Sequence, residues 1–437
     1  MSSLVEVPMK NLNWIDDINA EVRDSEFLSF VQGPTPFVQL SPLTSITISE
    51  CSFFNVSQKK VNVKTCLPFS YMNPDKRCVM DSVNCVSVQN PYLGCIVDGA
   101  TSAFICCNSS FLSCEAVTTR TNFSTGFKEI NDTTFSFKSS EILYGGAICL
   151  TGDASLTTAR CLFENCSLTK SGSRAAAVRN EGSGKLMCEN TVFQNCSAKT
   201  ASGAFDIRGT GELEVSFSNF VQCFAGEGVG AVEIYKQLSC LLTECNFLLN
   251  EANGGFAGAL NCYVIEHDFS VVSCLFNSNR AKTYAGAIRF DHSQVYGITA
   301  TLSDCIFINN TANEGNDIYA HETWTGKLNL VASRLFSTSN QPRTIFAWAT
   351  AEETSHYVID PPNSQNKIMI TTNGYDWDNC GRSDFDEFNC LTMKKGIERA
   401  KIESMSFEIK EGLFPSGQID IGSSNVIGSG SGTSMTA

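Results

Sequence analysis

The chain has 437 residues, of which 43% are apolar and 17% are charged, as is typical of an ordered protein with a large interior. Its formal net charge of −14 argues against binding to nucleic acid or to anionic membrane surfaces, because both require a basic face. The 21 Cys residues favour an oxidising compartment, unless many of them are small buried hydrophobic side chains.

The N-terminal residues MSSLVEVPMKNLNWIDD lack the basic and apolar regions of a secretory signal peptide. The sequence contains no apolar run of about eighteen residues, so it predicts no membrane span. The cysteine content favours secretion into an oxidising compartment, whereas the N-terminal residues lack the signal peptide that secretion requires. We therefore expect the chain to be a fragment of a longer tandem protein.

Residues 1–100 are the least regular part, and they predict early coils of a repeat array with insertions. The stretch CSFFN at 51–55 matches a degraded copy of the repeat described below. Cys66 and Cys78 bracket the Pro-containing loop LPFSYMNPDKR, so we name them as candidates for a disulfide that clips this loop.

A repeat with a period near 29 residues defines residues 101–350. Its anchor is a Phe that recurs in steps of 30, 27, 27, 29 and 31 residues. A Cys or an Asn stands three positions after each anchor. The anchors are Phe163, Phe193, Phe220, Phe247, Phe276 and Phe307, and the residues three positions on are Cys166, Cys196, Cys223, Asn250, Asn279 and Asn310.

Each repeat contains two or three short β-rich runs separated by turn residues, and it lacks helical periodicity. This pattern predicts an all-β solenoid with one coil per repeat. Equivalent positions of successive coils in a parallel β-helix stack about 4.8 Å apart. We therefore expect the Phe side chains to form an interior column of stacked rings. We expect the Asn side chains to form a hydrogen-bonded ladder at a corner, with Cys as a small buried group in the same position.

A Gly-Ala pair follows the anchor in four consecutive units, with its Ala 11 or 12 residues after the Phe. The pair is followed each time by an aromatic or aliphatic residue. It predicts a crowded bend into the next strand, where a side chain larger than that of Gly would clash. The four pairs end at Ala204, Ala231, Ala259 and Ala287.

The stretch FINNTA at 307–312, followed by GNDIY at 315–319, resembles the FxxN and GGA[ILV] repeats of polymorphic outer membrane proteins. The stretches YGGAI at 144–148 and AGAI at 285–288 match the second motif. The resemblance covers roughly residues 100–345. It implies a right-handed, pectin-lyase-like parallel β-helix that serves in adhesion at a surface. Cys in place of Asn resembles the variety of this repeat found in protists.

Residues 351–375 are predicted to be a polar linker. Residues 376–437 resemble the cap and the first strands of a second, truncated β-helix unit, with a helix over 391–400. That resemblance implies a disulfide between Cys380 and Cys390.

The sequence contains few candidates for catalytic residues. The strings NTD, GHG and RIK of galacturonan hydrolases do not occur. Arg289, Asp291 and His292 are the nearest approach to a polar cluster. In the next coil the aligned residues include Asp317, Tyr319 and His321. We interpret this cluster as the solvated end of strands rather than as an active site. The four His residues are scattered, so we predict no catalytic, cofactor-binding or metal-binding residues.

For most of the Cys residues we favour buried thiols over disulfides between coils, because parallel side chains in register rarely reach the disulfide dihedral.

The leading functional hypothesis is a non-catalytic, monomeric surface or extracellular scaffold that binds glycans or proteins of a host or cell surface. One alternative is a carbohydrate-active lyase or hydrolase, and another is a passive spacer in a longer tandem protein. A cleft with three or more acidic groups beside an Arg or Lys favours the enzyme, whereas a flat polar face favours the binding scaffold.

Overall fold

A computed structural model of the chain describes residues between 19 and 428, continuously over 146–235, 239–264, 267–292 and 298–321 and in shorter segments elsewhere. Most of this part of the chain is the parallel β-solenoid that the repeat predicts, with the right hand that the resemblance implies, and its coils build three long parallel sheets. Within the described residues, no helix is long and apolar enough to cross a membrane.

Sheet 1 has 13 strands, most of them five residues long, and each strand pairs in parallel with its equivalent one coil away. The first three of its strands lie in the irregular N-terminal region, and the last lies inside the segment predicted as a linker. The strands are Asn19–Arg23, Ser45–Ser49, Arg77–Asp81, Ala103–Cys107, Phe127–Asn131, Ser155–Ala159, Leu186–Glu189, Glu212–Ser216, Ser239–Thr243, Phe269–Val272, Thr299–Ser303, Lys327–Val331 and Tyr357–Asp360.

Sheet 2 has 20 short strands, because most coils contribute a strand that carries the anchor Phe and a second strand just after it. The strands are Glu26–Leu28, Val31–Gln32, Ser52–Phe54, Ser57–Gln58, Asn84–Val86, Gln89–Asn90, Ser110–Ala116, Thr134–Ser139, Leu162–Glu164, Ser167–Leu168, Val192–Gln194, Ser197–Ala198, Asn219–Val221, Phe224–Ala225, Asn246–Leu248, Glu251–Ala252, Leu275–Asn277, Arg280–Ala281, Ile306–Ile308 and Arg334–Phe336.

Sheet 3 has 12 strands and follows the Gly-Ala pairs. Its strands are Val38–Gln39, Phe69–Ser70, Val97–Gly99, Thr121–Phe123, Ile148–Leu150, Val178–Asn180, Phe205–Ile207, Val232–Tyr235, Leu260–Tyr263, Ile288–Phe290, Ile318–Ala320 and Ile345–Ala347. A separate parallel sheet of three strands lies towards the C-terminus, at Lys367–Ile370, Ser406–Ile409 and Val426–Gly428. The predicted helix at 391–400 lies outside the described residues.

The anchor Phe rings form the predicted interior column. From Phe163 to Phe307 the centroids of neighbouring rings are 4.8–4.9 Å apart, and the ring planes differ by 3–12°. All six anchors are fully buried. Stacked pairs of this kind add about 0.5–1.5 kcal/mol each to the stability that comes from burial alone. The column therefore ties each coil to both of its neighbours.

The position three residues after the anchor is a buried ladder, also as predicted. Asn250 Nδ2 donates to Asn279 Oδ1 at 2.9 Å, and Asn279 Nδ2 donates to Asn310 Oδ1 at 3.0 Å. The ladder ends where Asn310 Nδ2 donates to Asp317 Oδ1 at 2.9 Å. Each amide also donates to the carbonyl of the anchor Phe one coil back, as Asn250 does to Phe220 at 2.9 Å.

The backbone turn of this corner does not lie at the ladder position itself. The positive φ belongs instead to the preceding residue, with values of 56° at Leu249, 56° at Ser278 and 52° at Asn309. Because the chain turns one residue earlier, the side chain of the ladder residue points inward. Asn is therefore selected at this position by its hydrogen bonds rather than by its tolerance of the turn.

The Cys residues of this column occupy the ladder position by making one of the hydrogen bonds of Asn. The Sγ of Cys196 donates to the carbonyl of Phe163 at 3.5 Å, and the Sγ of Cys223 donates to that of Phe193 at 3.5 Å. Asn250, Asn279 and Asn310 donate to the equivalent carbonyl of their preceding coils. A thiol thus replaces one of the two donor bonds of the amide, and its sulfur is a weaker acceptor than the amide oxygen.

The Gly of each Gly-Ala pair lies against a backbone carbonyl of the next coil. A Cβ built on Gly230 would lie 2.0 Å from the carbonyl oxygen of Gly258, and one on Gly258 would lie 2.1 Å from that of Gly286. These distances are far below van der Waals contact, so the close approach of the coils requires Gly here. The predicted crowded bend is confirmed.

The 17 Cys residues that the structure describes all carry free thiols, and 16 of them are buried. Burial raises the pKa of the Cys78 and Cys188 thiols to about 12, which keeps them protonated and unreactive. Cys78 is one of these free thiols, in the strand Arg77–Asp81. Its predicted partner Cys66 lies outside the described residues, as do Cys380 and Cys390.

Candidate functional site

The outer face of sheet 3 carries two adjacent rows of polar and aromatic side chains, which we call the polar strip. In the strands that carry these rows the first and third residues point inward, all of them into the apolar core except the buried Asn180, so the second points outward. The register of the sheet stacks these second residues into the inner row, which consists of Arg179, Asp206, Glu233, Asn261, Arg289 and Tyr319. Two positions further along the chain, the outer row consists of Glu181, Arg208, Tyr235, Tyr263, Asp291 and His321.

Five of the six residues of the inner row are buried, and Glu233 is partly buried, although the row lies outside the core of the β-helix. Asp206 is 0% exposed and Arg289 is 4% exposed. The loops before the Gly-Ala pairs form a second apolar cluster, in which Val229, Ala257 and Ala285 pack together with Tyr319 of the inner row. These loops therefore lie beside sheet 3 and shield the inner row from solvent on one side.

At one end of the strip, arginine and carboxylate groups form a continuous ion-pair network. Arg208 Nε donates to Asp206 Oδ1 at 2.8 Å, and its Nη2 donates to Glu233 Oε2 at 3.0 Å. Arg179 Nη1 lies 3.5 Å from Asp206 Oδ2, and Arg179 also pairs with Glu181. A single guanidinium, that of Arg208, thus bridges carboxylates of two successive coils.

The environment of this network changes the proton affinity of its carboxyl groups. Burial, together with the neighbouring Glu233 carboxylate, raises the pKa of Asp206 to about 8, against the opposing effect of Arg179. Burial likewise raises the pKa of Glu233, which Arg174 opposes from 3.8 Å away. The two carboxyl groups therefore hold protons more tightly than exposed ones do.

In the middle of the strip, two tyrosines from successive coils stack on each other. The ring centroids of Tyr235 and Tyr263 are 5.2 Å apart, with the planes 18° from parallel. The guanidinium of Arg208 lies 5.6 Å from the centroid of Tyr235, within cation–π range. Tyr263 is 37% exposed, so the strip presents an aromatic surface to solvent at this point.

At the other end of the strip, Arg289 is enclosed by aromatic rings. Its guanidinium carbon lies 4.8 Å from the centroid of Phe256 and 5.1 Å from that of Tyr284. Its Nη1 lies 2.9 Å from Asp291 Oδ2, and His321 Nδ1 approaches Asp291 Oδ1 to 3.6 Å. The inner and outer rows are therefore joined here by an ion pair as well.

The predicted alignment of Arg289 with Tyr319 is confirmed by the sheet register. The expectation of a solvated strand end at this cluster was wrong, because Arg289 and Asp291 are only 4% and 8% exposed. The loop that carries Phe256 and the ion pair with Asp291 account for this burial. Asp317 is buried instead at the end of the Asn ladder.

The sequence-predicted ladder residues lie in the interior and form no part of the strip. Sequence reasoning missed Arg179, Asp206 and Glu233, which lie in the strands after three successive small-residue bends. A periodic signal marks these positions, because the second residue after the Ala of each bend is polar or charged in successive coils. The residue type changes from coil to coil, so a search for identical residues does not detect the row.

The chemistry that the strip allows depends on the ion pairs between its carboxylates and its arginines. Each carboxylate in it lies within ion-pair distance of an Arg. Within the described residues, no group of three or more His, Cys, Asp or Glu side chains is placed to hold a metal ion. Comparison with protein-family models, with curated proteins and with solved structures found no match to this chain.

Proposed function

We propose that the chain is a non-catalytic binding scaffold of the extracellular space or of a cell surface, and that the polar strip is its binding surface. The observation that carries this proposal is the mutual pairing of the charged groups in the strip. Asp206 is fully buried and hydrogen-bonded to Arg208 through both carboxylate oxygens, at 2.8 and 3.0 Å. A carboxylate held in this way orients its neighbours and does not reach a bound polymer.

The rigidity of the coils supports the same proposal. Stacked Phe rings and the Asn ladder hold successive coils in register, so the side chains of the strip keep fixed spacings. A rigid surface loses little conformational entropy when it binds, which favours affinity without a deep pocket. The resemblance to adhesive surface repeats points to the same function.

The test is a binding measurement on the full chain, immobilised on a biosensor. The analytes are neutral and acidic oligosaccharides and whole cells whose surface proteins have been labelled. We expect saturable binding of at least one analyte, with the analyte recovered unchanged. A chain that binds none of them is better described as the passive spacer, and that result would contradict the proposal.

A second candidate, a carbohydrate-active enzyme, is favoured by one specific observation. Asp206 and Glu233 are adjacent in register, and both have raised pKa values, as acid–base groups often do. Incubation of the chain with neutral and acidic polysaccharides distinguishes the two functions. New reducing ends or unsaturated products that disappear in the Glu233→Gln variant would support the enzyme against the scaffold.

A further inference from the structure

We infer that the polar strip binds an uncharged, extended oligosaccharide that lies along the axis of the β-helix. This inference rests on the proposed binding function and names the chemical class of its ligand. It is carried by three features of the strip: its length, the pairing of its charged groups and its pre-oriented outer row.

A ligand that lies along the axis contacts a different pair of side chains at each coil. From Arg208 to His321 the outer row crosses four coil intervals of about 4.8 Å, or about 19 Å in total. Sheet 3 pairs each of these strands on both sides, so the backbone N–H and C=O groups are already bonded. A peptide therefore cannot add here as an extra strand, and recognition must use side chains.

The charge of the strip selects against ionic ligands. Arg179, Arg208 and Arg289 of the strip, and Arg174 beside it, each lie within ion-pair contact of a carboxyl group of Glu181, Asp206, Glu233 or Asp291. An anionic polymer would have to displace these carboxylates from the arginines, and a cationic one would have to displace the arginines. An uncharged ligand avoids both costs, because each ionised group in the strip already has an opposite partner.

The outer row offers hydrogen-bonding groups that are already oriented. Arg208 is held by Asp206 and Glu233, while its side chain remains 26% exposed. Asp291 is held by Arg289, and the side chain of His321 next to it is 27% exposed. Such planar groups, fixed by buried partners, match the alternating donors and acceptors of sugar hydroxyl groups.

The aromatic pair supplies the apolar part of the site. Tyr235 and Tyr263 stack between Arg208 and Asp291 in coil order, and Tyr263 is 37% exposed. The C–H faces of a pyranose ring can pack on such a surface, while its hydroxyl groups reach the polar side chains on either side.

Beneath this row, two buried atoms in adjacent coils have no hydrogen-bond partner. They are Asn261 Oδ1, an acceptor, and Arg289 Nε, a donor, and the two residues are direct neighbours in the sheet register. Phe256, which is 43% exposed, covers the Arg289 guanidinium. A hydroxyl group both donates and accepts, so its chemistry matches either atom, which a ligand reaches only when the Phe256 side chain moves aside.

The test is a calorimetric titration of the full chain with neutral gluco-, manno- and chito-oligosaccharides, from disaccharide to hexasaccharide. Acidic oligogalacturonides serve as comparators. We expect one neutral series to bind more tightly with each added sugar until the strip is filled. We expect Tyr263→Ala to weaken that binding about tenfold.

Leu241→Ala is the matched control, because Leu241 is 39% exposed on the outer face of sheet 1, away from the strip. It is expected to change the affinity by less than about twofold. Circular dichroism of both variants confirms that the fold is retained.

The inference is overturned if no neutral oligosaccharide binds, if the acidic series binds more tightly, or if the two variants lose affinity equally. If the oligosaccharides fail and a surface protein binds, the scaffold function stands and this inference is wrong. If an oligosaccharide binds and is cleaved, the ligand class stands and the non-catalytic function is wrong.

Discussion

The backbone N–H of Cys223 donates a hydrogen bond of 2.9 Å to Oδ1 of Asn250, one coil further along the chain. At this point the column changes from thiols to amides without a break in the stacking of the anchor rings. Cys and Asn therefore both donate to the carbonyl of the preceding coil at this position, and the amide adds a second donor bond and an oxygen acceptor.

Replacing Cys223 by Asn should extend the ladder by one coil. The new amide can donate to the carbonyl of Phe193, as the thiol does now, and its oxygen can accept from the coil before. We expect the free energy of unfolding to stay within about 1 kcal/mol of the wild type or to rise. The measurement is denaturation in guanidinium chloride, followed by circular dichroism.

Asn250→Leu is the contrasting variant, because it removes the acceptor of Cys223 and the donor to Phe220 while keeping a similar volume. It should destabilise the chain by about 2 kcal/mol or more, since buried backbone groups lose their partners. Equal losses in Cys223→Asn and Asn250→Leu would show that the hydrogen bonds of the column do not matter.

Truncation of a ring in the middle of the column should be costly. Phe220 stacks on Phe193 and Phe247 at 4.8 Å each, and it is fully buried. Phe220→Ala is expected to lower the free energy of unfolding by about 3–5 kcal/mol, because it leaves a cavity and removes three ring contacts, the third an edge-on contact with Phe205. Phe217→Ala, three residues earlier and 46% exposed, should cost less than about 0.5 kcal/mol. Similar losses in both variants would mean that the column contributes no special stability.

Lys128 predicts a pH dependence of stability. It lies in the strand Phe127–Asn131 with no exposed surface, 5.3 Å from the centroid of Phe123, and burial lowers its pKa from 10.5 to about 8. Between these two pH values the unfolded chain binds more protons than the folded chain, so stability should rise as pH increases from about 8 to 10.5. Below pH 8 the folded state carries the full cost of the buried charge.

Lys128→Met should therefore stabilise the chain at pH 7 by about 1–3 kcal/mol, and the gain should shrink above pH 8. Thermal unfolding of both proteins from pH 6 to pH 10.5 measures the difference. A gain that does not change with pH, or a loss at pH 7, would contradict the assignment.

The thiols give a prediction that needs no variant. Of the 17 Cys residues in the described part of the chain, Cys107 is partly exposed and the others are buried with free thiols. Among the described thiols, a thiol reagent should reach Cys107 first in the native protein, but slowly, because partial burial and the nearby Asp81 raise the pKa of this thiol. In denaturant without reductant it should titrate at least 17 thiols. A markedly lower count would show that disulfides link the coils.

The interior of the fold could be read from the sequence because its columns repeat nearly the same residue. Phe193, Phe220 and Phe247 recur at one period, and the Gly of each Gly-Ala pair marks a close approach of coils that no other residue allows. The position of the left-handed turn could not be read, since residues as different as Leu249 and Asn309 adopt it. Tertiary packing, rather than local preference, sets the turn there.

The polar strip was missed for the opposite reason. Its members change from Arg179 to Asp206 to Glu233 along one column, because each coil offers a different group to the outside. Periodicity reveals where these side chains lie but not how they pair. The bridge from Arg208 to carboxylates of two coils depends on side-chain geometry that spacing does not encode.

A crystal structure that resolves the coils from residue 178 to residue 321 tests the account most directly. It should show the ring centroids of Phe220 and Phe247 4.8 Å apart in the interior of the β-helix. It should show those of Tyr235 and Tyr263 5.2 Å apart on the outer face of sheet 3. Arg208 should contact both Asp206 and Glu233. The account would be contradicted if the anchor Phe rings were separated or turned towards solvent. It would also be contradicted if the side chains of the strip did not contact one another.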